Sequence, residues 1–397
     1  MPSDRPTVLQ IIPRLDTGGA ELAVLEITEA LVAAGARALV ASEGGRLSAE
    51  ITRLGGQLID FPAATKNPWQ MYANAARLEA LIREEHIDLV HARSRAPAWS
   101  ALLATRRARR PFVTTYHGAY GERGRLKRLY NSVMARADVA IANSQYTGKL
   151  IEERYGTSRQ RIRVIHRGVD FTKFDSDKID EARLAALRAA WGIGDDERVV
   201  LNAARLTGWK GQRVLIDAAA KLARQSSLDN WVVILAGDAQ GRDAYDAELR
   251  ARIESSGLDG QVRLVGHCAD MPTAFLLAHV TVVASTEPEA FGRAATEAQA
   301  MACPVIATRI GAPPETVRAE PKVASTDITG WLVPAADAEA LSSCLRAALE
   351  LSPAARMAIG QRAQSHVKEN FSVVGMKKST LAVYDELLGT ALRETLA

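Results

Sequence analysis

Along the chain, short runs that are apolar at nearly every position alternate with longer stretches whose apolar residues recur at helical spacing. "TVLQII" precedes "AELAVLEITEALVAAG"; "RALVAS", "QLIDFP", "DLVHAR", "FVTTYH" and "VAIANS" follow, each separated by a helical segment. A strand that is apolar on both sides belongs in a parallel sheet covered by helices on both faces. This alternation predicts a doubly wound α/β domain. A polar, charged stretch, "RVIHRGVDFTKFDSDKID", interrupts it as the best linker candidate, and the pattern restarts with "RVVLNAARL", "WVVILAGD", "VRLVGH", "VTVVAS" and "PVIATRI". The α/β reading is therefore of two Rossmann-like domains, residues 1–180 and 181–374, with a helix at about 375–397 expected to pack back on the first. Two such domains predict a deep cleft near the carboxyl ends of both sheets, where open α/β folds bind ligands.

Length and composition change this picture little. A chain of 397 residues exceeds the usual size of one compact core, and 47% apolar with 24% charged residues fits a globular protein. The net charge of +4 gives no bulk argument for nucleic acid. Cys268, Cys303 and Cys344 lie far apart without a CxxC spacing, so neither a disulfide framework nor a zinc site is expected. "MPSDRPTVLQIIPRLDTGG" contains no long apolar run, and no stretch reaches bilayer length. A cytoplasmic protein without signal peptide or membrane span is the expectation.

Candidate chemistry sits at the predicted strand ends. In "PRLDTGGAELAV", Gly18 and Gly19 allow backbone close to a ligand, and Glu21 opens a helix whose amides can face an anion. The turn lacks GxGxxG and a P-loop lysine, and a purely structural turn explains it equally well. "FVTTYHG" puts His117 at a strand end, where it can bond a hydroxyl or take a proton at neutral pH; a lone histidine is more often a satisfied core or surface residue. From Arg106 to Arg136 there are nine Lys/Arg residues and one acid, Glu122. Arg106, Arg107, Arg109, Arg110, Arg123, Arg125, Lys127 and Arg128 form a candidate patch for an anionic membrane or acceptor. The bland reading is a solvated helix, with Leu126, Leu129, Tyr130 and Val133 as a short stripe packed on the core. No aromatic-rich basic strand accompanies the charge, so nucleic acid is a poor fit.

In the second half, "NAARLTGWKG" presents Arg205 and Lys210 after a strand, a pairing suited to a diphosphate, though basic pairs in loops are common. "ILAGDAQGRD" ends a strand with Gly237 and Asp238 in a tight turn. "STEPEAFGRAATEAQA" places Glu289 in a loop and Glu297 in the early turns of a helix. Carboxylates can grip sugar hydroxyls in a fork, but a helical glutamate such as Glu297 is ordinarily solvent decoration, and spacing alone does not overturn that.

Taken together, these segments resemble glycosyltransferase family 4 of the GT-B fold, in the right order over essentially the whole chain. "TGGAE" resembles its N-terminal glycine loop, "YHG" its cleft histidine, "ANSQYT" a serine-containing strand end, "ARLTGWKG" its G-R-L-x-x-x-K-G segment, and "EPEAFGRAATEAQA" its E-x7-E signature. The resemblance implies a retaining, metal-independent transferase without a bound cofactor, using a nucleoside-diphosphate sugar as donor and a glycan or glycolipid as acceptor. It implies that Arg205 and Lys210 hold the diphosphate, Glu297 the ribose, and Glu289 the donor sugar. The backbone through Ala290, Phe291, Gly292 and Arg293 would assist, as would Gly237 and Asp238. Gly18 and Gly19 would approach phosphates or acceptor, and His117 the sugar. His117, Glu289, Arg205 and Lys210 are thus the expected catalytic set. A bacterial role in lipopolysaccharide or other cell-surface glycan synthesis, peripheral at the inner membrane, is the corresponding expectation.

The departures are specific. His166 and Arg167 stand where the family commonly has Pro-Asn, "GDAQGRDAYDAEL" is longer than the common turn, and "SRAPAW" follows "VHAR" where a second histidine is often seen. A glycogen-type phosphorylase is disfavoured by length, and a Rossmann oxidoreductase by the absent fingerprint. A catalytically silent sugar-nucleotide-binding or membrane-scaffold protein is the remaining alternative; it has no need of Arg205, Lys210, Glu289 and Glu297 together.

Overall fold

A computed structural model describes residues 5–16, 18–121, 124–225 and 228–396. By internal contacts the chain forms two compact units, Met1–Arg167 with Val373–Ala397, and Gly168–Ser372.

In the first unit, β1 (Thr7–Ile11), α1 (Gly19–Ala33), β2 (Arg37–Ser42), α2 (Ser48–Arg53), β3 (Gln57–Asp60) and α3 (Pro68–Glu84) run in sequence. They are followed by β4 (Leu89–Ala92), α4 (Arg95–Ala108), β5 (Phe112–Tyr116), α5 (Arg125–Asn131), β6 (Val139–Ala142), α6 (Gln145–Tyr155) and β7 (Ile162–Val164). The seven strands form a parallel sheet in the order β3-β2-β1-β4-β5-β6-β7. Strand direction of growth reverses between β1 and β4, the switch point where doubly wound folds bind ligands. Alternate residues of one strand feed opposite layers: Leu9 and Ile11 join a core under α3 and α4, and Val8 joins one with Ile27 and Leu31 of α1.

The second unit repeats the scheme. It contains α7 (Glu181–Trp191), β8 (Arg198–Ala203), α8 (Gln212–Gln225), β9 (Trp231–Ala236), α9 (Asp243–Ser255), β10 (Val262–Gly266) and α10 (Met271–Leu277). Then come β11 (Val280–Val283), α11 (Arg293–Ala300), β12 (Val305–Thr308), α12 (Pro313–Thr316), β13 (Gly330–Val333), α13 (Ala338–Leu349) and α14 (Pro353–Asn370). The six-stranded parallel sheet has the order β10-β9-β8-β11-β12-β13, with its reversal between β8 and β11. Val199 and Leu201 face one core layer while Val200 faces the other.

The stretch read as a linker is structured. Its first residues supply edge strand β7, and its later part packs into the second unit, where Val169 and Phe174 are buried and Val169 N–H bonds the Phe371 carbonyl at 2.8 Å. Buried apolar anchors within a charged run move the division by contacts from residue 180 to Arg167. The chain returns to the first unit after Ser372 as α15 (Val373–Leu388), which packs on α1, and α16 (Leu392–Thr395). The three cysteines are free thiols. Among the described residues no helix is long and apolar enough to cross a membrane.

Candidate functional site

In the second unit the residues singled out gather at the switch point. After β8 the chain turns through Arg205 and a 3-10 segment, Gly208–Lys210, and enters α8 at Gly211. Gly211 has φ +74, and a Cβ there would overlap the carbonyl oxygen of Ala284, so only glycine lets this turn pass the end of β11. The two loops are stitched by Thr286 N–H to the Trp209 carbonyl at 2.7 Å. Lys210 Nζ then reaches Glu289 Oε1 at 2.5 Å, and Ser285 Oγ donates to the same oxygen at 2.6 Å. Glu289 is only 6% exposed, and its backbone is clamped by Ala312 N–H at 2.9 Å to its carbonyl.

Each member of this cluster keeps unused valences. Glu289 Oε2 makes no hydrogen bond among the described residues, and Lys210, lying 4.2 Å above the Trp209 ring, has donors beyond the one given to Glu289. Arg205 is exposed; only its carbonyl is engaged, by Gln212 Nε2 at 3.0 Å, and its guanidinium has no partner among the described residues. A half-buried ion pair and an unpaired guanidinium carried on the same loop can serve phosphate oxygens and polyol hydroxyls.

Gly292, φ +86, caps α11 and turns the chain from Glu289 into the helix. Phe291 packs edge-on against Phe371 in the core, so its side chain is structural. Glu297 is half-buried rather than solvent decoration, and it accepts from Arg293 Nε at 3.1 Å one helical turn away. Gly237 lets β9 end against the Ala204 carbonyl, which a Cβ would overlap, and Asp238 Oδ1 accepts the Gln240 amide at 2.8 Å. Both shape the turn next to Arg205. Among the described residues no group of three or more His, Cys, Asp or Glu side chains is placed to hold a metal ion.

In the first unit, Gly18 and Gly19 lie exposed at the start of α1, where Gly18 leaves room for the Glu21 carboxylate. His117 follows β5 and hydrogen-bonds through Nδ1 to Arg167 Nη2, while its Nε2 is buried without a partner. A guanidinium can only donate, so Nδ1 is the acceptor and the neutral ring carries its proton on Nε2. Burial, then Arg167 and Arg93, hold the His117 pKa well below the usual 6.5. The expectation that His117 takes a proton at neutral pH is thereby corrected: it is a neutral donor. Arg167, the residue departing from the family's Pro-Asn, turns inward and aims this ring.

The basic run is not one patch. Arg106, Arg107, Arg109 and Arg110 lie at the C-terminal end of α4, toward the start of β5, whereas Arg125, Lys127 and Arg128 follow the other end of that strand. A helix of this length separates its ends by about 20 Å. Arg107 pairs with Glu79 at 3.7 Å, Arg110 with Asp88 at 3.5 Å, and Arg128 donates to the Arg154 carbonyl. Arg123 lies outside the described residues. Leu126 and Leu129, read as core stripe, are 84% and 52% exposed, while Val133 is buried.

Sequence reasoning missed Ser285 and Trp209, which set Glu289 and Lys210, and missed Arg93; it marked Arg167 only as a departure from the family pattern. Arg93 is buried and bonds Gln10 Oε1 at 2.6 Å and Thr115 Oγ1 at 3.3 Å, both neutral partners. A polar residue ending an otherwise apolar strand was the available signal for Ser285 and Arg93.

Two doubly wound units of this kind, the second carrying the basic and acidic cluster at its switch point, define the GT-B class. The family models "Glycosyltransferase Family 4" and "Glycosyl transferases group 1" match residues 17–173 and 185–366. The D-inositol 3-phosphate glycosyltransferase of Salinispora tropica is 30% identical over 335 residues, 79% of this chain and 67% of that one. That of Jonesia denitrificans is 29% identical over 257 residues, 59% of this chain and 58% of its own length. A glycosyltransferase from Rickettsia africae superposes with a TM-score of 0.87 at 30% identity, covering 98% of this chain and all of that one (100%). Anabaena HepE, in a complex with UDP and glucose, gives 0.83 at 25% identity, covering 96% and 100%. The chain belongs to glycosyltransferase family 4.

Proposed function

We propose that the protein transfers a glycosyl group, with retention of configuration, from a nucleoside-diphosphate sugar to a glycan or lipid-linked acceptor. The observation that carries this reading is the Lys210–Glu289–Ser285 cluster at the β8/β11 switch point, with Arg205, unpaired among the described residues, on the same loop as Lys210. In the reading, Arg205 and Lys210 face the diphosphate, Glu289 Oε2 takes donor-sugar hydroxyls, and Glu297 takes those of the ribose. The bond from the anomeric carbon to the phosphate oxygen breaks, and a bond to the acceptor oxygen forms on the same face. The acceptor's hydroxyl proton passes to the departing phosphate. The two cations meet the charge that grows on the leaving group, so the proposed step calls for no metal. His117 offers its Nε2–H to a substrate oxygen. UDP is bound by the HepE structure, which makes uridine the first base to try. The assignment to cytoplasmic synthesis of bacterial lipopolysaccharide or another cell-surface glycan follows from the acceptor class. It makes the protein peripheral to the inner membrane through its acceptor.

The test is a panel of UDP-, GDP- and ADP-sugars ranked by thermal shift, then assayed for transfer or hydrolysis. One donor should stabilise the wild type and turn over. Lys210→Ala should weaken calorimetric affinity for its nucleoside diphosphate about tenfold, the loss of one charge-assisted contact of roughly 1.5 kcal/mol. Unchanged affinity removes Lys210 from the diphosphate site; the absence of any stabilising donor sinks the reading.

A further inference from the structure

At the switch point of the first unit, two adjoining hollows share Lys66 and Tyr130. The first is a cavity of about 660 Å³ between the ends of β1, β3, β4 and β5, and its charged lining residues are Lys66, Arg95 and Lys127. No acid lines it. Arg95 is held by a neutral partner, Asn131 Oδ1, at 2.7 Å and lies 4.0 Å over the Tyr120 ring, so among the described residues its charge meets no carboxylate and its remaining N–H groups are unspent. Lys66 and Lys127 are exposed and form no ion pair among the described residues. The second hollow, about 400 Å³, is apolar, with Met71, Tyr72, Trp99, Leu103, Leu126 and Leu129 in its walls. Its rim exposes Leu126 (84%), Tyr72 (58%) and Leu129 (52%), with Trp69 (84%) on the same first turn of α3 as Pro68. Exposure of this size at one spot is costly unless something covers it.

A cationic cup opening directly onto an apolar trough is complementary to one kind of molecule, an anionic head joined to a hydrocarbon tail. We infer that the acceptor is a phosphorylated lipid, its phosphate held by Lys66, Arg95 and Lys127 and its chain laid between α3, α4 and α5. The α5 stripe is exposed because the lipid is what it packs against. Charge selects phosphate over a neutral glycan, since three cations with no acid among the described lining residues repel one another until an anion arrives. The trough selects a chain over free phosphate, because each methylene buried against its apolar walls is removed from water. The acceptor role rests on the glycosyltransferase reading above, but occupancy of the two hollows does not.

Calorimetry on the full chain with farnesyl monophosphate, farnesol and inorganic phosphate separates the contributions. Farnesyl monophosphate should bind at least tenfold more tightly than either of the others. Lys127→Ala should bring its affinity close to that of farnesol, and Leu126→Gln should lower it several-fold. Both side chains are exposed, so neither change threatens the fold, and nucleoside-diphosphate affinity should be unchanged in both. Farnesyl monophosphate binding no tighter than phosphate, or no tighter than farnesol, overturns the inference. So does binding that appears only with phosphatidylglycerol vesicles, which assigns this face to bulk membrane adsorption. Selective lipid binding in a protein that binds no nucleoside diphosphate upholds the site and removes the transferase reading instead.

Discussion

His117 owes its chemistry to a residue fifty positions away in sequence, Arg167, whose guanidinium fixes which ring nitrogen carries the proton. With Nδ1 accepting, Nε2–H is the only polar atom left to present, and it is buried without a partner. An unmet buried donor costs about 1–3 kcal/mol, which a substrate oxygen would relieve. Arg167→Ala should free the tautomer, lift the His117 pKa toward 6.5, and lower transfer about tenfold. Histidine ¹⁵N shifts from pH 5 to 8 check this: the wild-type ring should stay neutral with its proton on Nε2, the variant should lose that single tautomer, and a wild-type His117 titrating near 6.5 ends the argument. At this scale the sequence was half legible. Glu289, Lys210, Arg205 and His117 could be marked because each follows a strand in a recognisable segment. That Lys210 bonds Glu289 across 79 residues, or that Arg167 points inward, depends on pairings between distant loops that spacing does not encode.

Elements bring these side chains together only where backbones pass closely, and Gly211 is such a place. Gly211→Ala would meet a left-handed φ and a collision with the Ala284 carbonyl, so both α8's start and the end of β11 must shift. We expect a cost of about 1–3 kcal/mol and a loss of donor affinity, since Lys210 immediately precedes it. Gly241→Ala is the control: φ is +78 but nothing lies near the added Cβ, so the cost should be only about 1 kcal/mol with affinity kept. Urea unfolding and nucleotide calorimetry on both variants decide; equal losses would show that backbone strain, not the collision, governs. The strands that escaped the sequence reading were edge strands. β7 is three half-buried residues, Ile-Arg-Val, and β13 is Gly-Trp-Leu-Val, neither carrying the fully buried apolar run that betrays a central strand. The buried central strands of both sheets announced themselves for the opposite reason.

For the whole molecule, buried histidines set the acid limit of stability. His91 lies between Tyr384 OH at 2.6 Å and Thr115 Oγ1 at 2.7 Å, joining β4 to the returning helix α15. Its pKa is held well below 6.5 by burial, then by Arg93, His117 and Arg167, and His117 behaves alike. In the second unit His279 Nδ1 accepts the Val199 amide at 3.2 Å, and burial followed by Arg356, Arg198 and Arg188 lowers it to about 4. Each ring is neutral when folded and ordinary when unfolded. Below pH 6.5 the unfolded chain therefore binds more protons than the folded one, and stability falls as pH falls. Above 6.5 both forms are neutral and this contribution is complete. For His279 the loss runs from 6.5 down to about 4; for His91 and His117 it continues as far as their lower folded values. Each group contributes a slope of up to about 1.4 kcal/mol per pH unit. Both units carry such a ring, so neither should stay folded as a refuge when the other acidifies. Urea midpoints should be flat from pH 8 to 7 and drop steadily from 6.5 to 5, with His91→Gln less stable throughout but shallower in its decline. Parallel declines for wild type and His91→Gln would mean that carboxylates, not the buried ring, set the acid limit.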